Sequence, residues 1–185
     1  MHGTVNTNEV GTHSIRFTVE DQYGLSASKT ITVTIKAKPV EGWTANSEAF
    51  HEAVAQKMYQ LVNAHRQANG LPAYKVSSEL TRGANWKSQD ILKYHYCEHK
   101  NKDGKLTQDA LGIHEAWLEN IAQNWMQKTT GLTKKDADAL AEKLFNQWKA
   151  SAGHNASMLD DWAESMGFGF AVGSNGVVYA TQEFY

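Results

Sequence analysis

A chain of 185 residues is long enough for one ordinary domain and a small appendage. Its 18 basic and 20 acidic residues leave a net charge of −2, which offers no electrostatic footprint for nucleic acid or for an anionic membrane surface. Apolar residues make up 41% of the chain, enough for a packed core, yet no apolar run approaches a membrane span, and the single Cys97 excludes an internal disulfide framework.

Residues 1–38 differ from everything after them. Ser14–Glu20 and Lys29–Lys36 alternate apolar and polar residues and are rich in β-branched side chains. Asp21-Gln-Tyr-Gly24 between them reads as a turn, which predicts a β-hairpin with Thr4–Asn8 as a lead-in. A linker follows around Ala37–Gly42. The start Met-His-Gly-Thr has neither a basic n-region nor an apolar h-region, so it is not read as a signal peptide.

From there helices dominate. Asn46 or Ser47 caps a helix whose apolar stripe is Phe50, Val54, Met58, Leu61 and Val62, ending at Gly70 and Pro72. His51 and His65 on it are read as solvated or core-packed. Ser77 or Ser78 caps a second helix with Leu80, Ala84, Ile91 and Leu92 buried, expected to run through His99 and break in Asn101–Gly104. The mostly apolar run Ala116–Trp125 carries Glu119, a carboxylate that needs a partner if buried. Thr133-Lys-Lys-Asp136 reads as a capping box opening a helix with Leu140, Leu144, Phe145 and Trp148. That helix is expected to stop at Gly153, leaving His154 just past its end. Met166–Val172 and Val177–Phe184 alternate as strands, joined by Gly173–Gly176, whose Asn-Gly pair suggests a type I′ turn. Helices followed by a terminal hairpin predict an α+β fold with helices packed on a mainly antiparallel sheet.

Several groups carry chemistry. His95 and His99, four apart, would share a helical face, a spacing that can chelate zinc but is a weak signal alone, and Tyr96 stands where a zincin would need glutamate. A more coherent set is His99, Glu119 and His154. Two imidazoles and a carboxylate suit a divalent transition metal with an open position, or equally a hydrogen-bonded cluster in which Glu119 fixes the histidine tautomers. Cys97 is expected to be a buried inert thiol. Of Trp86, Trp117, Trp125, Trp148 and Trp162, most are expected in the core and one or two on a groove for sugar or lipid.

Five pieces in order resemble a known family. Leu61-Val-Asn-Ala-His-Arg66 with Gly70-Leu-Pro72 is similar to a first-helix signature. Ala84–Asp90 leading to His99, Leu118-Glu-Asn-Ile-Ala122, Trp148–His154, and Gly167-Phe-Gly169 with Tyr179–Phe184 complete the set. Residues 48–185 thus resemble a bacterial CAP domain, of the superfamily of cysteine-rich secretory proteins, antigen 5 and pathogenesis-related 1 proteins. The resemblance implies an α-β-α sandwich with a cleft lined by His99, Glu119 and His154. It also implies a divalent metal such as Zn2+ on His99 and His154, with Glu119 as a third candidate ligand. Leu118 replaces the family's usual glycine, Ser157 its asparagine, and Ser151 stands where many members carry a second glutamate, which weakens an acid–base reading. Val10–Gly24 resembles the closing strands of a bacterial immunoglobulin-like repeat. The domain expectation is therefore an Ig-like segment over 1–38, a linker over 39–47 and a CAP domain over 48–185. The functional expectation is an extracellular or cell-surface binding module whose cleft takes a peptide, glycan or lipid. A metal-dependent hydrolase acting on peptide or cell-wall substrates is the alternative, and a purely structural or adhesive domain the third.

Overall fold

The computed structural model describes residues 11–35, 42–114 and 116–185. They fall into two compact units that divide between Val40 and Glu41. Thr4–Asn8 lie outside the described residues, as do positions 39–41 of the linker expected over 39–47.

In the first unit, β1 (Gly11–Glu20) and β2 (Ser26–Ile35) pair antiparallel from Gly11↔Ile35 to Glu20↔Ser26. The turn is closed by Asp21, whose Oδ1 accepts from the amides of Tyr23 and Leu25 at 2.8 and 2.9 Å. Gly24, at φ +83°, supplies the left-handed residue the turn requires.

The second unit begins by tying itself down. Trp43 and Leu132 exchange two backbone hydrogen bonds of 2.9 Å, so the chain is anchored to this unit from Trp43 onward. Next come α1 (Glu48–Ala68), β3 (Lys75–Val76), α2 (Ser78–Tyr94), the short α3 (Thr107–Leu111) and β4 (Leu118–Trp125). The chain closes with α4 (Lys134–Lys149), α5 (Ala152–Met158), β5 (Ser165–Val172) and β6 (Val177–Phe184). The sheet order is β3-β5-β6-β4, antiparallel except for the short β3–β5 pair.

Side-chain alternation decides the layers. On β5, Met166, Phe168, Phe170 and Val172 enter the main core with the buried faces of α1 and α4. The residues between them turn toward α2, and two are glycine for a steric reason. A Cβ on Gly167 would sit 2.1 Å from the Leu80 carbonyl carbon, and one on Gly169 2.4 Å from the Asn85 amide nitrogen. These glycines let α2 lie directly on the strand. On β6, Val178, Ala180 and Phe184 join the same main core, while Val177 and Tyr179 pack with Ile91 of α2 and Ile121 of β4. Every residue of β6 is buried, as a central strand covered on both faces should be. The result is the expected sandwich, with α2 on one side of the sheet and α1 and α4 on the other.

Three boundaries differ from the sequence reading. α2 ends at Tyr94, not beyond His99, because His95 takes the left-handed conformation (φ 57°) that closes it. The helix through Trp148 stops at Lys149 and Ser151 opens a new one, so Gly153 is inside α5 and breaks nothing. In the β5–β6 connection only Gly176 has positive φ (82°), and its amide bonds the Gly173 carbonyl at 2.9 Å. The loop is therefore a four-residue turn closed by a left-handed glycine, and Asn175 is spared the positive φ that a type I′ turn would demand.

Candidate functional site

β4 distributes its opening residues between the two faces of the sheet. Glu119 faces the α2 side, Asn120 the α5 side and Ile121 the α2 side again. Each has a distinct task. Glu119 Oε1 lies 2.8 Å from His99 Nδ1, and Glu119 Oε2 accepts from Thr107 Oγ1 at 2.7 Å. Asn120 Nδ2 donates to the His154 carbonyl at 2.9 Å and to Gln182 Oε1 at 3.0 Å. The Ile121 carbonyl receives the indole N–H of the buried Trp148 at 3.2 Å. One strand thus positions both histidine-bearing segments.

His99 lies in the irregular segment after α2, where the left-handed turn at His95 redirects the chain. The segment is held from beneath by Lys87, a lysine with no exposed surface, whose Nζ donates to the His99 carbonyl at 2.5 Å. The same Nζ sits 4.9 Å from the centre of the Tyr96 ring, and Tyr96 donates to Asp90 Oδ2 at 2.6 Å. His95 and His99 share no helical face, so the His-x-x-x-His chelate does not form.

His154 occupies the first turn of α5, not the end of α4. The helix is clamped by two neighbours on α1, His65 and Arg66. His65 Nε2 meets Asn155 Oδ1 at 2.8 Å. Arg66, fully buried over the Tyr74 ring, donates to the carbonyls of Met158 and Asp160 at 3.0 and 2.8 Å. Sequence reasoning treated His65 as bland and gave Arg66 no task; both hold α5 in place.

Two hollows flank His99. The larger, about 570 Å³, is lined by His99, His154, Cys97, Glu98, Lys100 and Ile121. The smaller, about 190 Å³, shares His99 and adds Glu119, Leu106, Gln108, Trp117, Leu118 and Ser157. Of the tryptophans, Trp148 is core and Trp117 is half exposed on the smaller hollow. Trp125 borders a separate hollow at the far end of β4. Cys97 is exposed rather than buried, although partial desolvation still raises its thiol and keeps it a poor nucleophile.

Electrostatics divides the two histidines. Hydrogen bonding to Glu119 lifts the pKa of His99, whereas burial, reinforced by the charge of His99, lowers that of His154. Burial pushes Glu119 up, but the His99 and Thr107 hydrogen bonds and the Lys87 charge outweigh it, and the carboxyl ends below its ordinary range. Opposite Glu119 in register on β6 stands Glu183, 1% exposed, a residue the sequence reading passed over. Burial and the neighbouring Glu119 drive its carboxyl far upward.

The metal expectation fits this geometry only in part. Both oxygens of Glu119 are engaged by His99 and Thr107, so it braces an imidazole instead of offering a ligand. No group of three His, Cys, Asp or Glu side chains among the described residues is arranged to hold a metal ion. A three-ligand centre of His99, Glu119 and His154 is therefore not built.

Comparison with known proteins agrees with the fold. The sequence profile of the cysteine-rich secretory protein family, CAP, matches residues 59–184. YkwD of Bacillus subtilis strain 168, itself uncharacterized, is 28% identical over 145 residues, covering 76% of this chain and 50% of its own length. The chain thus spans about half the length of that relative. Among solved structures, an extracellular protein containing an SCP domain from Bacillus anthracis aligns with a TM-score of 0.55 at 18% identity, over 84% of this chain and 46% of that one. An outer surface protein of Borrelia burgdorferi aligns at 0.57 and 11%, over 77% and 96%. NaASP2, solved with Zn2+, aligns at 0.53 and 14%, over 75% and 82%.

Proposed function

We propose that this chain, which belongs to the cysteine-rich secretory protein (CAP) family, is a binding module that takes a ligand in the hollows around His99 and His154. The observation that carries this reading is a contrast in saturation. Behind the hollows Lys87, Thr107, Glu119 and the Asn120 side-chain nitrogen are spent on positioning the two histidine segments, and the oxygens left without a partner there, Asn120 Oδ1 and Glu183 Oε1, are buried away from the surface. At the surface the His154 ring has no hydrogen-bond partner among the described residues, and His99 uses only Nδ1. Convergent free polar groups on a rigid support are what a recognition site needs. Trp117 adds an exposed aromatic face beside the smaller hollow.

The ligand class is peptide, glycan or lipid, met outside the cell. Two structural relatives, one described as extracellular and one as an outer surface protein, support that setting. Residues 1–38 are read as a piece of an immunoglobulin-like spacer, since the described strands Gly11–Glu20 and Ser26–Ile35 leave Phe17, Val19 and Ile31 exposed and a two-stranded hairpin by itself is marginal in water.

A second reading adds a divalent ion held by His99 Nε2 and His154. It is favoured by the carboxylate on His99 Nδ1, the arrangement that orients metal-bound imidazoles. Both readings are tested together. Soluble peptidoglycan fragments, a mixed peptide library and anionic lipid vesicles are titrated into the full chain, and into His99→Ala and His154→Ala variants, with backbone NMR shifts as readout. Shifts centred on the hollows and lost in both variants support the binding module; binding indifferent to both variants overturns it. Calorimetry with zinc chloride decides the ion: about one per chain, lost in the double variant, supports it. Turnover of a fragment, abolished by a chelator, would move the reading to a hydrolase.

A further inference from the structure

Glu119 and Glu183 are directly opposed on adjacent antiparallel strands, which places their Cβ atoms about 5 Å apart. Both side chains turn toward α2, which comes close at Gly83: a Cβ there would lie 3.8 Å from Glu183 Cγ. The two carboxyl groups are within hydrogen-bonding reach of one another and of the Thr107 hydroxyl. Thr107 has a single proton, given to Glu119 at 2.7 Å. His99 gives a second hydrogen bond to Glu119. Glu183 Oε1, by contrast, is fully buried with no hydrogen-bond partner. From α2 the charged group that acts on the pair among the described residues is Lys87, whose Nζ is spent on the His99 carbonyl and the Tyr96 ring. From β5 the register neighbour of Glu183 is Gly167. One buried cation and one half-exposed imidazole cannot balance two buried anions that touch each other and leave an oxygen bare.

We propose that Glu183 is the second acid of this site: a carboxylic acid, protonated at neutral pH, that donates a hydrogen bond to the Glu119 carboxylate and holds it against His99. Glu183 lines neither hollow, so it is a positioning residue and not a catalytic one. The division of labour is the one that two coupled carboxyls adopt when one proton serves both. The inference rests on the His99–Glu119 pair of the proposed cleft and adds the group that stabilises it.

The test is a 13C NMR titration of glutamate side-chain carboxyls in the full chain and in Glu119→Gln, with Glu183 assigned by through-bond correlation to its own backbone. In the wild-type chain the Glu183 carbon is expected to keep its protonated shift at pH 7, where the exposed glutamates are ionised. In Glu119→Gln its midpoint is expected to fall by about one pH unit or more, because the neighbouring anion is gone. A wild-type Glu183 that titrates with the exposed glutamates overturns the proposal, as does a midpoint indifferent to Glu119→Gln. The wild-type measurement decides even if the variant does not fold. It needs no ligand, so a failed binding experiment leaves it standing.

Discussion

Two histidines border one hollow, and only one of them is held by its ring. His99 is gripped at both ends: Lys87 takes its carbonyl and Glu119 its Nδ1, with Thr107 and Glu183 behind Glu119. His154 is gripped by its backbone: Asn120 takes its carbonyl, while His65 and Arg66 fix the helix that carries it. The ring of one is therefore biased toward the imidazolium and the ring of the other toward the neutral base. A residue type does not set its own chemistry; the atom through which it is anchored does. One side of the hollow is thus biased toward a charged donor and the other toward a neutral acceptor, two complementary polar groups.

The largest effect should come from removing the buried cation on the His99 side. Lys87→Met is expected to cost about 3–5 kcal/mol, since it strips a buried charge from a network that includes Glu119 and Glu183. Urea unfolding at neutral pH measures it, and hydrogen exchange should quicken at residues 95–100 more than in α5. A loss below about 1 kcal/mol would mean that the lysine is not a structural charge of this site.

The next effect belongs to the acid behind Glu119. A carboxyl whose pKa is raised on folding is protonated in the folded chain while the unfolded chain has already released its proton. Stability then falls as pH rises from the unfolded value toward the raised folded one. Glu183→Gln keeps the shape and a donor but removes the ionisation. Its stability relative to wild type should therefore improve with pH above about 4.5, by up to about 1.4 kcal/mol per unit. A difference that stays flat from pH 5 to 8 would sink the protonated acid, and with it the asymmetry between the two sides.

The sequence made some of this legible. Periodicity found α1, α2, α4 and the closing hairpin, because amphipathic spacing reports which face is buried. Five short motifs named His99, Glu119 and His154, and the structure gathers them around one hollow and its immediate support. What was missed has physical causes. Helix ends depend on one residue's backbone angles, and no pattern announces that His95 will turn left-handed or that a helix will restart at Ser151. Lys87 falls on the buried face of α2, where a lysine reads as an interruption until its partners are known. Glu183 was hidden by alternation itself, since it occupies the α2 face of β6 as Thr181 does. Only the register that sets it opposite Glu119 gives it a role. The Ile121–Trp148 contact and the Asn120–His154 bond likewise join residues 27 and 34 apart.

The smallest stability effects, and the sharpest test of the comparison, come from cutting each ring away. His99→Ala deprives Glu119 of a donor, but the ring is half exposed, so a loss of about 1 kcal/mol is expected. Its pH dependence follows from two shifts. The raised His99 contributes stability that is full below its unfolded value near 6.5 and lost as pH rises through its folded value. The lowered Glu119 contributes stability that is present above its unfolded value near 4.5 and lost as pH falls through its folded value. The deficit of His99→Ala should thus be greatest between about pH 4.5 and 6.5. His154 has the opposite shift. Its folded ring resists protonation, so below about pH 6.5 it penalises the wild-type fold, and His154→Ala removes that penalty. With no hydrogen bond from the ring to lose, His154→Ala should stay within about 0.5 kcal/mol of wild type at pH 8 and gain on it at pH 5.5. Thermal or urea unfolding of both variants at the two pH values reads the signs directly. Changes of the same sign would show that the two rings share one environment, and that the division between a ring-anchored and a backbone-anchored histidine has no energetic content.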